Sequence, residues 1–400
     1  SAKEYIAFAA SQPAVSAKAD TLRRAATMYR LADDSALAVT TLQEATKLPD
    51  LPDAVAGPVW VDLADALLAA KRPDEMWPAF NEAMKSGGLM STITRYRLAN
   101  HFAEIWFKLT DQTFAALRNT NMPESALLKL NSLKNKKYSR RDLVEEISKI
   151  LDTDELKQFQ SIVLNNAFAD ARQPEYSRLA RLLYEQIANQ TNISQAEQEF
   201  QESALDKLAY ELIRLNDFAT AELCLRKQLH TYPTGPEASH GRLLLGVCLL
   251  QLAAVPPPTG PTLTKVTAIR TEALQLFRTI VAEADAKLKR DGKLSERDAW
   301  LRLQAALRIL QTYQQMKNPL DLLVESADLL QRHRGTVEEL IILSLVYHAF
   351  KQKGDISKAL ETRDKMKELF DRLPPSAFTA TSGECSREYW EKVWFTPEKK

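Results

Sequence analysis

Residues 205–233 read Leu205-Asp-Lys-Leu-Ala-Tyr-Glu-Leu-Ile-Arg-Leu-Asn-Asp-Phe-Ala-Thr-Ala-Glu-Leu-Cys-Leu-Arg-Lys-Gln-Leu-His-Thr-Tyr-Pro233. The stretch carries two apolar stripes at helical spacing, separated by a short polar turn at Asn216-Asp217. Each stripe holds a small residue, Ala209 or Ala221, and small residues let antiparallel helices approach closely. Pro233 closes the unit because it cannot continue the second helix. A helix pair of this size cannot bury its own apolar face, so it needs stacked neighbours.

Similar pairs recur along the chain. Over 19–50, Ala25, Ala26 and Tyr29 form one stripe, Asp33-Asp34 the turn, and Ala38, Leu42 and Ala45 the second stripe. Over 57–86, Trp60, Leu63, Ala64 and Leu67 precede an Arg72-Pro73-Asp74 turn, with Phe80 and Ala83 beyond it. After Pro236-Glu237-Ala238 come Leu245, Gly246 and Leu249. The second helix of that pair is delayed to Ala273, Phe277 and Ile280 by a Pro-rich insertion, 255–262, in the turn. Segment 295–330 gives a degenerate pair, capped at Ser295 and turning at Asn318-Pro319. A last pair at about 336–370 turns at Lys353-Gly354-Asp355.

These units resemble the tetratricopeptide repeat (TPR), a helix–turn–helix with a period of about 34 residues. Trp60, Leu63, Ala64 and Leu67 match its W-x2-L-[GA]-x2-Y opening, with Leu67 in place of the aromatic residue. Met76 stands where the family prefers Ala, a departure expected to loosen that pair. The resemblance covers roughly two-thirds of the chain. It implies an all-α fold, a right-handed α-solenoid of TPR-like repeats with an irregular helical middle segment. The expected organisation is 1–90 for N-terminal repeats, 91–200 for irregular helices and linker, 201–373 for C-terminal repeats and 374–400 for an aromatic tail. The junction Leu229-His-Thr-Tyr-Pro-Thr-Gly-Pro-Glu-Ala238 is similar to one common in bacterial cell-envelope TPR proteins. By that analogy, periplasm or cell envelope is favoured over cytoplasm.

Composition agrees with a helical scaffold. Only 11 residues are Gly, 45% are hydrophobic, and alternating β-branched runs are scarce. Lys plus Arg is 53 against 52 Asp plus Glu, so net charge gives no pull towards nucleic acid or anionic membrane. The longest greasy run, 243–255, is short of the roughly 20 residues a membrane-spanning helix needs. Membrane association is therefore expected to be indirect only. The chain starts at Ser1 without Met, so any targeting signal would lie upstream.

No catalytic motif is present: there is no G-x-S-x-G, Walker A, H-E-x-x-H or G-x-G-x-x-G. Asp152, Asp154 and Glu155 sit where a helix N-terminus prefers negative charge, and capping accounts for them. Cys224, Cys248 and Cys385 form no C-x-x-C pair. His230 and His240, near Cys224 and Cys248, match no known metal-ligand spacing. No enzyme activity, cofactor or metal is expected. The basic run Lys134, Lys136, Lys137, Arg140 and Arg141 is a candidate anion site, read by default as a solvated loop.

The expected function is a non-enzymatic protein–protein scaffold or assembly subunit, with a structural accessory subunit of a larger membrane or enzyme complex as the alternative. By resemblance, partners meet the groove lined by the first helix of each repeat. That places Tyr210, Ile213 and Arg214, then Leu243, Val247 and Leu250, against a protein partner, and Ile213→Asp is expected to abolish binding without unfolding. Asp206 and Tyr210 stand where the chaperone-binding TPR subclass has Lys and Asn, so its carboxylate clamp is not carried over.

Overall fold

The computed structural model describes residues 1–70, 72–85, 92–104, 106–120, 122–164, 169, 173–254, 263–378 and 386–395. About 81% of these are helical. The fold is an all-α solenoid of antiparallel helix pairs, and the chain divides into two compact units, Ser1–Ala204 and Leu205–Lys400.

The first unit opens with α1 (Ala2–Ser11) packed on α2 (Val15–Leu31). Helix α2 pairs with α3 (Ser35–Thr46), and α4 (Asp53–Ala69) pairs with α5 (Pro73–Lys85). Met76 is completely buried in α5, which packs on α4.

The expected irregular segment 91–200 resolves differently. Helix α6 (Thr92–Ala103) pairs with α11 (Gln173–Ala188), although their facing ends are 69 residues apart. Phe102 stacks on Tyr176 with ring centres 5.9 Å apart, and the Tyr184 hydroxyl donates to Asn100 Oδ1 at 2.7 Å. Everything between is an insertion at the turn of one hairpin. It holds β1 (Trp106–Lys108), α7 (Asp111–Asn119), α8 (Glu124–Leu130), β2 (Lys137–Ser139), α9 (Arg140–Ser148) and α10 (Thr153–Val163).

This insertion has its own core, including Phe107, Phe114, Leu127, Leu143 and Phe159. Strands β1 and β2 pair antiparallel, with Phe107 opposite Tyr138. At its neck, Gln173 accepts from the Trp106 amide at 2.9 Å and donates to the Glu104 carbonyl at 3.0 Å. One side chain thus ties the outgoing strand to the returning helix. Helix α10 ends at Val163, and residues 165–168 lie outside the described set.

Helix α12 (Gln198–Arg214) spans the unit boundary. The second unit continues with α13 (Phe218–Thr231), α14 (Ala238–Ala254), α15 (Leu263–Asp291), α16 (Glu296–Gln315), α17 (Pro319–Arg332), α18 (Val337–Lys353) and α19 (Ile356–Arg372). Short α20 (Arg387–Trp390) follows. Its Trp390 is fully buried, in the same core as Ala209, Phe277 and Leu310. The tail therefore covers the last hairpin, as a terminal repeat requires. The Pro-rich insertion 255–262 lies outside the described residues, but α14 and α15 on either side of it pack together.

Hairpin turns share one construction. Asp33, Asn216, Lys317 and Gly354 have φ between 54° and 79°, the left-handed conformation that ends a helix. The next residue, Asp34, Asp217, Asn318 or Asp355, caps the following helix by accepting a backbone N–H three residues on. Its own amide closes the turn onto Tyr29, Leu212, Tyr313 or Phe350 at 2.9–3.0 Å. The left-handed residue followed by a short acceptor is what makes each turn both a stop and a start.

Candidate functional site

On the second unit, three first helices are linked side by side through their side chains. Asp206 of α12 and His240 of α14 are 34 residues apart, one repeat period, and so occupy equivalent positions. His240 Nδ1 lies 2.9 and 2.8 Å from the two Asp206 carboxylate oxygens, and as its N–H tautomer it donates to them. Trp300 of α16 lies beyond, its ring 6.4 Å from the imidazole. Tyr210 sits one turn after Asp206 on the same side of α12, since residues four apart share a helix face.

This face combines a buried polar base with exposed aromatic side chains. Asp206 is buried, His240 is half-buried, and Tyr210 and Trp300 are each 49% exposed. Glu237, whose carbonyl accepts the first helical bond of α14 from Gly241, pairs through its carboxylate with Arg297. That pairing raises the affinity of the Arg297 guanidinium for its proton. Arg214 is exposed and bridges to Glu211 at 3.0 Å. The ligand atoms of Asp206, Glu237 and His240 all lie within 4.8 Å of one another, making them the described group able to hold a metal ion.

Among the expected partner-binding residues, Tyr210 and Arg214 lie at the surface. Ile213 and Val247 are half-buried, and Ile213 packs against the core. Leu243 and Leu250 belong to the core itself, 5% and 6% exposed, and are corrected from groove to packing residues. Helix α14 is apolar nearly all round because α13, α15 and α16 all pack on it. Asp206 and His240 lie on the first-helix face that the resemblance assigns to the groove, and their 34-residue spacing signals shared position; Glu237 and Trp300 are site residues that the repeat pattern does not single out. Neither His230, which is exposed, nor the two cysteines of this region take part. Cys248 is buried and its thiol is pushed up to about 12 by that burial, which keeps it protonated and unreactive.

The basic run lies around β2. Lys134 is taken up by Asp111 at 2.5 Å and sits 5.8 Å from the centre of the Phe114 ring. Lys136 and Arg140 are exposed, and the side chains of Lys137 and Arg141 lie outside the described set. Ser139 caps α9 through the Asp142 amide, and Asp152 caps α10 in a reciprocal box with Glu155, so these carboxylates serve helix starts.

A further cavity of about 470 Å³ opens between α15, α16 and α17, floored by Leu303, Ala306 and Ile309. Arg302 pairs with Asp285 at 2.6 Å and Arg332 with Asp328 at 2.7 Å, so its ionic groups compensate one another. Among the described residues no helix is long and apolar enough to cross a membrane.

No protein-family model matches the chain, and no curated protein is similar to it. Among solved structures, yeast Tom70 is similar over 89% of this chain and 70% of its own, at 13% identity and a TM-score of 0.27. The P58(IPK) TPR domain is similar over 96% of this chain and 99% of its own, at 12% identity and a TM-score of 0.19. Naa15/Naa10 bound to HypK-THB is similar over 93% of this chain and 56% of its own, at 14% identity and a TM-score of 0.24.

Proposed function

We propose that the chain is a non-enzymatic protein-interaction scaffold or assembly subunit that binds a protein partner on the face running from Tyr210 through His240 to Trp300. The observation that carries this reading is the pair of half-exposed aromatic rings, 49% each, on α12 and α16, either side of His240 of α14, which meets Asp206 on one side and Trp300 on the other. Exposed Tyr and Trp beside Arg are the side chains that anchor interfaces, because each brings large apolar area with a polar tip. The core supports the same reading, since apolar burial holds the hairpins rigid behind that face. A cell-envelope location belongs to the proposal and rests on the 229–238 junction alone; fractionation of cells expressing the native protein tests it.

Ile213→Asp no longer serves as the test, because Ile213 packs against the core and a charge there destabilises the fold. Tyr210→Ala and Trp300→Ala remove exposed rings instead. Quantitative affinity purification should show a stoichiometric protein partner lost from both variants, with melting temperature unchanged within about 2 °C for about 0.5 kcal/mol. Retention of the same partner by both variants refutes this face as the docking site.

A further inference from the structure

We propose that Asp206, Glu237 and His240 form a binding site for a divalent transition-metal ion. The inference is independent of the partner reading, because it concerns the donor atoms at the base of the face and not the exposed rings. Two carboxylates and one imidazole are the mixed nitrogen–oxygen set that suits Zn²⁺ and its first-row neighbours, whereas Ca²⁺ and Mg²⁺ favour oxygen alone. Glu237 and His240 stand three apart at the start of α14, so both donors project from one turn of helix, and Asp206 reaches them from α12. Glu-x-x-His at this spacing delivers a carboxylate and an imidazole to one ion in helical metal sites.

The geometry needs little change. Donor atoms around a metal with bonds of about 2.0–2.2 Å lie roughly 3 Å apart. Asp206 and His240 already meet at 2.8 Å, and Glu237 lies within the 4.8 Å group. Neutral imidazole ligates through Nδ1 by moving its proton to Nε2, which exchanges the hydrogen bond to Asp206 for two bonds to the ion. Charge favours the same event. Two carboxylates, Asp206 and Glu237, converge with the imidazole where a divalent ion would sit, and Arg297 already pairs with one of them. Arg297 is 51% exposed and can return to water when the ion takes Glu237, so no buried charge is stranded. Glu237 and His240 are about one-fifth exposed, which gives the ion access and leaves coordination positions for water.

The test uses the full chain, stripped with chelator and titrated with Zn²⁺ by calorimetry and with Co²⁺ by absorption. One equivalent should bind, and the Co²⁺ spectrum should show ligand-field bands without thiolate charge transfer, which sets this site apart from the cysteines. His240→Ala and Glu237→Gln should each weaken binding about tenfold or more, and Arg297→Ala, which removes a cation competing for Glu237, should tighten it. Circular dichroism confirms that each variant is folded. Glu237→Gln, at a partly exposed position, decides the matter if His240→Ala does not fold. Failure of the native chain to bind at micromolar ion, affinity unchanged in Glu237→Gln, or a thiolate-dominated Co²⁺ spectrum overturns the proposal.

Discussion

Gly246 is the position where the packing can be tested most sharply. It lies in α14 against α15, and a Cβ built there would stand 2.4 Å from Phe277 Cε1 and 2.5 Å from Cζ. Carbon atoms in contact sit at about 3.5–4.0 Å, so the overlap exceeds an ångström. Phe277 is fully buried, with no room to swing its ring into solvent. Against this, Ala is favoured over Gly in a helix interior by about 1 kcal/mol. Overpacking costs about 1–3 kcal/mol, so Gly246→Ala should come out between neutral and about 2 kcal/mol destabilised. Gly246→Leu adds three more carbons to a filled site and should lose more.

Urea denaturation and thermal melting followed by circular dichroism give the numbers. For a unit of this size about 1 kcal/mol corresponds to roughly 2–4 °C in melting temperature. The second arm is a double-mutant cycle. Phe277→Leu alone opens a cavity, but combined with Gly246→Ala the new methyl occupies part of it. The pair should be less destabilised than the sum of the single variants, by about 0.5–3 kcal/mol. Should Gly246→Ala gain the full helix-propensity benefit, with the two variants simply additive, the close approach does not exist and the hairpin alignment is wrong.

His101 gives a pH test. It is 8% exposed, its ring centre is 4.7 Å from that of Trp106, and burial lowers its pKa to about 4. Because the folded value lies below the ordinary one, stability is full above about pH 6.5 and falls towards pH 4, by about 3 kcal/mol; His101→Phe should flatten that segment of a stability–pH curve. Gln173→Ala should orphan the buried Trp106 amide at the neck of the insertion, costing about 1–3 kcal/mol and speeding its hydrogen exchange; unchanged protection at Trp106 would count against the neck. Trp390→Ala should cost about 3–5 kcal/mol, since Trp390 is fully buried in the second unit's core, and a melt like the parent's would show that the tail is dispensable.

Local features were legible because their causes are local. Asp33-Asp34, Asn216-Asp217 and Gly354-Asp355 place a residue suited to the left-handed region before a short acceptor, and each became a turn. The starts of α9 and α16 could be read from Ser139 and Ser295 with acidic residues three positions on. The pairing of α6 with α11 was not legible. Apolar spacing tells each helix which side to bury, but not which partner will cover it across 69 residues. The groove residues of α14 were obscured for a related reason. A helix apolar on every side does not declare which side faces out, so Leu243 and Leu250 read as surface while they fill the core.

The two insertions fall at the same place in the repeat, the tip between a first and a second helix. The helix ends there are already close, so lengthening the connection adds little closure entropy and disturbs neither helix face. An insertion at the junction between hairpins would instead push one first helix away from the next. That distinction governs the candidate site. Asp206 and His240 stay one period apart because the segment between them, turn 216–217 and junction 229–238, is uninterrupted. Trp300 comes 60 residues after His240, since the 255–262 insertion and the long α15 intervene, yet its ring still lies 6.4 Å from the imidazole. Position in the stack, not distance along the chain, therefore determines which side chains meet. The equivalent residues of successive first helices are the ones to mutate together: if Tyr210, His240 and Trp300 act on one partner, their substitutions should be non-additive in binding, whereas strictly additive effects would place them at separate contacts.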